Sequence, residues 1–96
     1  GDHEVRRLYQ LFEALHIKPN LTQIGAINFT CVLDYWPEKN EKLALQASEF
    51  LNVEATKELS LLTIRHYTKE KFEELTKEKT IILRQQTTDT IQVLMK

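Results

Sequence analysis

The residues able to do chemistry are few. His3, His16 and His66 are far apart, and none has a second ligand at metal-like spacing. His16 falls at a helix end, where a cation is favoured on electrostatic grounds alone. Cys31 is the only cysteine, which excludes an internal disulfide and a cysteine-based zinc cluster. Its place on the apolar side of an alternating stretch reads as a buried structural thiol. Ser48 and Ser60 have no nucleophile motif around them, and two glycines cannot build a phosphate-cradling loop. Arg65-His66-Tyr67, at a strand end, reads as surface decoration, with a partner or ligand contact as the other reading. The chain reads as non-catalytic.

Binding is easier to argue. A helix start exposes unpaired backbone N–H groups near residues 2–5, which attract a carboxylate. Asn20, on the corner Lys18-Pro19-Asn20, can accept from an ammonium group. An amino acid carries both charges a few ångströms apart. The plain alternative is that Asn20 only makes a turn.

The elements that must position these residues follow from periodicity. Residues 2–16 carry Val5, Leu8, Tyr9, Phe12 and Leu15 on one stripe, a helix capped by Asp2 and ended before Pro19. The stretch Ile17–Asp34 runs through the corner and Gly25 into an alternating strand. Ile27, Phe29, Cys31 and Leu33 point one way, and Asn28, Thr30 and Val32 the other. Pro37 opens a second helix to about Leu51, with Leu43, Ala47, Phe50 and Leu51 apolar. Trp36, in the turn before it, is read as a lid on the core or as a subunit contact. Residues 53–56 can form a short strand. Residues 58–67 are apolar on both faces at Leu59, Leu61, Leu62 and Ile64, which predicts an inner strand. Thr68 caps a third helix to about Lys79, with Phe72 and Leu75 facing inward. A hairpin closes the chain: a strand over 80–86, a turn at Thr87–Asp89, and a strand over 90–95 with Ile91, Val93 and Met95 aligned. The order α-β-α-β-α-β-β fits a two-layer α+β sandwich. A strand placed before the first helix would complete a ferredoxin-like βαββαβ arrangement. The abrupt opening at a helix cap suggests a piece of a longer protein, lacking that strand.

The totals fit a small domain. Ninety-six residues, 42% hydrophobic and 28% charged, suffice for one core. A net charge of −1 offers no general attraction to nucleic acid or an anionic membrane. No apolar run reaches membrane-spanning length and no signal peptide is evident, so a cytoplasmic location is expected. The mixed Lys and Glu runs read as solvated helix faces.

The run LYQLFEALHIKPNLTQIGAINFTCVLD resembles the helix and strand of the ACT modules at the C-terminal end of aspartokinases. There an apolar helix leads to an I-x-V-D/N-L/M corner and an alternating strand ending L-x-I/L-D. Val5, Leu8, Tyr9 and Phe12 take the helix positions. Ile17, Asn20 and Leu21 take the corner, and Phe29, Val32, Leu33 and Asp34 the strand end. The later LLTIRHYTKEKFEELTKEKTIILRQQTTDTIQVLMK is similar to the closing segment of monofunctional bacterial aspartokinases, through I-R-H-Y and L-x-x-Q-x-[ST]-x-x-T-[VI]-Q-x-[VL]. Together the two stretches cover nearly the whole chain.

The resemblance implies a ferredoxin-like (ACT) sandwich, an antiparallel sheet with helices on one face. An ACT module over 1–67 would be completed or extended by a helix and strand pair over 68–96. It implies a regulatory domain that senses lysine or threonine and takes part in feedback inhibition of the aspartate pathway. This segment would hold no cofactor, because ATP and magnesium belong to the kinase domain upstream. ACT modules pair side by side, so the implied partner is a second copy or a neighbouring module, with the effector at their interface. Carried over, Asn20 takes the effector's amino group, Leu21 and Thr22 flank it, and His3 and Glu4 lie at the helix-start loop. The pattern is departed from in two places. Ile24-Gly25-Ala26 stands where many relatives have Thr-Ser-Glu, and Asn20 replaces the usual aspartate. A neutral acceptor holds an ammonium less tightly than a carboxylate, by about 1 kcal/mol. The alternative is therefore a dimerisation module that binds no ligand. A nucleic-acid binder is disfavoured, because Phe29 and Tyr67 are too few aromatics to interleave with basic residues on strands.

Overall fold

The computed structural model describes residues 2–96. The fold is α+β, with three helices and five antiparallel strands in two small sheets among the described residues. The chain divides into two compact units, 1–54 and 55–96.

The first unit is built on α1 (Asp2–Ala14), β1 (Leu21–Ile24), β2 (Phe29–Val32) and α2 (Pro37–Ala47). The stripe expected on α1 buries Leu8 and Phe12, which meet Leu43 and Ala47 of α2. Phe29, Cys31 and Leu33 pack against this cluster from the hairpin, together with Leu11, Leu15, Ile17 and Leu51. Asp2, expected to cap α1, is itself the first helical residue. The helix ends in a glycine-free Schellman turn. Ile17 N–H donates to the Phe12 carbonyl at 2.8 Å, His16 N–H donates to that of Glu13 at 3.2 Å, and His16 takes φ 56°. Its carbonyl accepts from Lys39 Nζ at 3.0 Å.

After its corner the long central stretch is a hairpin rather than one strand. Leu21–Ile24 pairs with Phe29–Val32 from Leu21↔Val32 to Ile24↔Phe29. Ile27, expected to face the core, sits in the connecting loop and is 97% exposed. The loop closes through Gly25 N–H to the Asn28 carbonyl at 2.8 Å. A Cβ on Gly25 would strike the end of the Asn28 side chain, which would have to swing aside. Pro37 opens α2 as expected. Trp36 is no lid on the core. It is more than half exposed, with Lys39 Nζ over its ring at 4.4 Å.

The second unit is β3 (Ser60–Arg65), α3 (Lys69–Thr76), β4 (Ile81–Gln86) and β5 (Thr90–Met95), with strand order β3-β5-β4. The inner strand is β5 and not β3, because both neighbours pair with β5. Ile91 and Val93 are fully buried and join Ile64 and Met95, with Leu62, Tyr67 and Phe72 packed around them. Two-sided apolarity misled for β3, whose Leu61 and Leu62 are only half-buried, as is Leu59 just before it. Thr68 caps α3 as expected, its Oγ1 accepting from Lys71 N–H at 3.1 Å. Phe72 packs inward, whereas Leu75 is 38% exposed. Residues 53–56 form no strand. Two sheets thus stand where the resemblance implied one, and β3, assigned to the first module by that resemblance, shares its sheet with the closing hairpin.

Candidate functional site

The corner residue Asn20 is held by its backbone and by its side chain. Its N–H donates to the Val32 carbonyl at 2.8 Å, which extends the β1–β2 ladder by one bond. Its side-chain Nδ2 donates to Asp34 Oδ1 at 2.9 Å. Asp34 is gripped in turn by Asn40 of α2, whose Nδ2 donates to the Asp34 carbonyl at 3.0 Å. The side chains of Asn20 and Asp34 are exposed and can meet a solute. Sequence reading placed Asp34 at the end of the strand but gave it no part at the corner. The signal was too long-range, fourteen residues away.

The other candidates do not gather on one surface. Leu21 and Thr22 follow Asn20 along β1, where successive side chains face opposite sides of the sheet. Leu21 is 7% exposed and sits opposite Val32. Thr22 is half-buried opposite Cys31, on the hairpin face that packs towards the helices. His3 and Glu4 lie in the first turn of α1, whereas Asn20 follows the turn that closes its other end. From His3 to Ala14 the helix rises on the order of 16 Å. The hairpin runs back along it, with Phe29 meeting the Tyr9 ring edge-on at 5.8 Å. Within one chain, then, the corner and the helix start are at opposite ends of α1. A shallow depression near that start is lined by His3, Arg6, Arg7 and Gln10, all on α1, with the Arg7 guanidinium over the Phe50 ring at 4.3 Å.

The remaining reactive groups have structural surroundings. Burial pushes the half-buried Cys31 thiol up from its ordinary value. His66 joins β3 to the β4–β5 turn. Its N–H donates to the Asp89 carbonyl at 2.6 Å, and its Nδ1 lies 2.6 Å from Asp89 Oδ1. Tyr67 Oη accepts from Gln86 Nε2 at 3.2 Å. Arg84 donates to Gln86 Oε1 and lies over the Phe72 ring at 4.7 Å. The Arg-His-Tyr segment thus ties the strand end to the closing hairpin, a role that local sequence did not signal. Among the described residues no three His, Cys, Asp or Glu side chains converge to hold a metal. Nor, among the described residues, is any helix long and apolar enough to cross a membrane.

The arrangement offers a small acceptor site for a hydrogen-bond donor at the Asn20 amide oxygen. No family model, no curated protein and no solved structure matches this chain.

Proposed function

We propose that the chain is an ACT-type regulatory domain of an aspartokinase, which senses lysine or threonine and takes part in feedback inhibition. The observation that carries the reading is the Asn20 corner. Its amide is exposed, fixed in place, and at the head of the strand where the resemblance puts the effector's amino group. The order of elements supports it further. α1–β1–β2–α2 follows the same order as the αββα centre of a βαββαβ ferredoxin-like pattern, and β3–α3–β4–β5 the same order as its opening βαββ.

The separation along α1 shapes the mechanism. One chain cannot present its helix start and its corner to the same small ligand, so the pocket forms between paired modules, a second copy or a neighbouring unit. One module supplies Asn20 and the other the turn at His3 and Glu4. Effector held there favours one arrangement of the pair, and that arrangement restrains the kinase domain. A coupling of about 1–3 kcal/mol changes affinity by about 5- to 150-fold. It must come from contacts that differ between the two arrangements. This segment transfers no phosphate; ATP and magnesium act in the kinase domain.

Titrating the 96-residue chain with lysine and with threonine, read by amide chemical shifts, tests the reading. Shifts clustered at residues 3–5 and 20–22 are expected. A chain that self-associates yet shows no shift with either amino acid is the alternative, a dimerisation module without ligand.

A further inference from the structure

We propose that Asp34 is a positioning residue that sets the polarity of the Asn20 corner: by taking the amide nitrogen, it turns the amide oxygen towards the ligand. The corner then accepts an ammonium group and disfavours a carboxylate. This role rests on the amino-acid-sensing reading above.

The polarity follows from which groups can donate and which can only accept. An ionised carboxylate can only accept hydrogen bonds. The side of the Asn20 amide that faces Asp34 Oδ1 at 2.9 Å must therefore be the nitrogen. The opposite orientation would set an amide oxygen against a carboxylate oxygen, with no proton between them. Both partners are anchored independently of this contact. Asn20 N–H is bound to the Val32 carbonyl, and the Asp34 carbonyl is bound by Asn40 Nδ2. The amide oxygen remains the acceptor for a ligand. The carboxylate also brings a negative charge beside a corner whose own residue is neutral. That offsets part of the attraction lost through asparagine at this position. Because both side chains are exposed, water screens the effect. A weakening of about 3- to 10-fold is expected when Asp34 is removed, rather than abolition of binding.

The test measures lysine and threonine affinity by NMR titration of the whole chain, with thermal melts to show that each variant folds. Asp34→Ala should weaken binding about 3- to 10-fold. Asp34→Asn keeps the shape but can donate as well as accept, so it no longer fixes the Asn20 amide and should weaken binding too. Asn20→Asp with Asp34→Asn exchanges the two groups, puts the charge at the corner itself, and should restore affinity to the wild-type level or above. N-acetylthreonine, which carries no ammonium group, should not compete. Wild-type binding that survives Asp34→Ala and Asp34→Asn unchanged would overturn the role of Asp34 and leave the sensing reading intact. A wild-type chain that binds neither amino acid would instead overturn the sensing reading, and this role with it.

Discussion

The two units reach stability by opposite routes. In the first, two helices meet face to face through Leu8, Phe12, Leu43 and Ala47, and a two-stranded hairpin lies against them. In the second, the core belongs to the sheet, with Ile91 and Val93 of β5 fully buried, and α3 buries no residue completely. A two-stranded hairpin is marginal in water unless a helix covers it, whereas three strands with an apolar face can carry a core. The lesson concerns function. The candidate site is at the head of a hairpin whose order depends on helices, so a mutation deep in α1 can disturb the Asn20 corner without touching it.

Phe12→Ala is the severest way to break that comparison. Phe12 is 3% exposed at the helix–helix contact, and its loss should cost about 3–5 kcal/mol, read as a fall in the urea midpoint. Amide exchange should then rise first in α1 and the hairpin. If β5 amides lost protection first, the assignment of separate cores would be wrong. Thr68→Ala probes the weaker helix of the second unit. Removing the hydroxyl that accepts from Lys71 N–H should cost about 1 kcal/mol and release α3 amides while β5 stays protected.

His16→Gly acts in the other direction. A non-glycine residue at φ 56° pays roughly 1–2 kcal/mol, and glycine loses about 0.5–1 in chain entropy. The net gain should be about 0.5–1 kcal/mol, measured by denaturant titration. A loss would mean that the imidazole makes a stabilising contact of its own. The smallest effect is that of Cys31. Because burial raises its folded-state value, the thiol stays protonated in the native chain at pH values where an unfolded cysteine has begun to ionise. Its contribution to stability is complete below the unfolded value and fades as the pH rises through the folded one. Alkylation by iodoacetamide should be slower for the folded than for the urea-unfolded chain, with its pH profile displaced upward. Equal rates would show that the thiol is open to solvent.

Much of the site's frame was legible locally. The stripe on α1, Pro37 at the start of α2, Thr68 before α3 and the alternation of β5 all announced their elements, because each signal lies within a few residues of what it specifies. Asn20 was picked out by its corner. Leu21–Ile24 was not read as a strand, since four residues without clear alternation look like a turn until a partner is found. Ile27 was read into the strand because alternation continues across a loop that only pairing can end.

The apolar stripe of α1, the starts of α2 at Pro37 and of α3 after Thr68, and the buried face of the last strand were settled by the chain's own order of residues, whereas α1, α2 and α3 end at Ala14, Ala47 and Thr76, each short of the expected end. Tertiary structure alone decided that β5 is central and β3 peripheral, that Trp36 faces solvent, and that the Asn20 amide nitrogen meets Asp34. The reason is the range of the forces involved. Periodicity and capping act over one or two turns, whereas strand order and a hydrogen bond across fourteen residues exist only once the backbone has brought distant segments together.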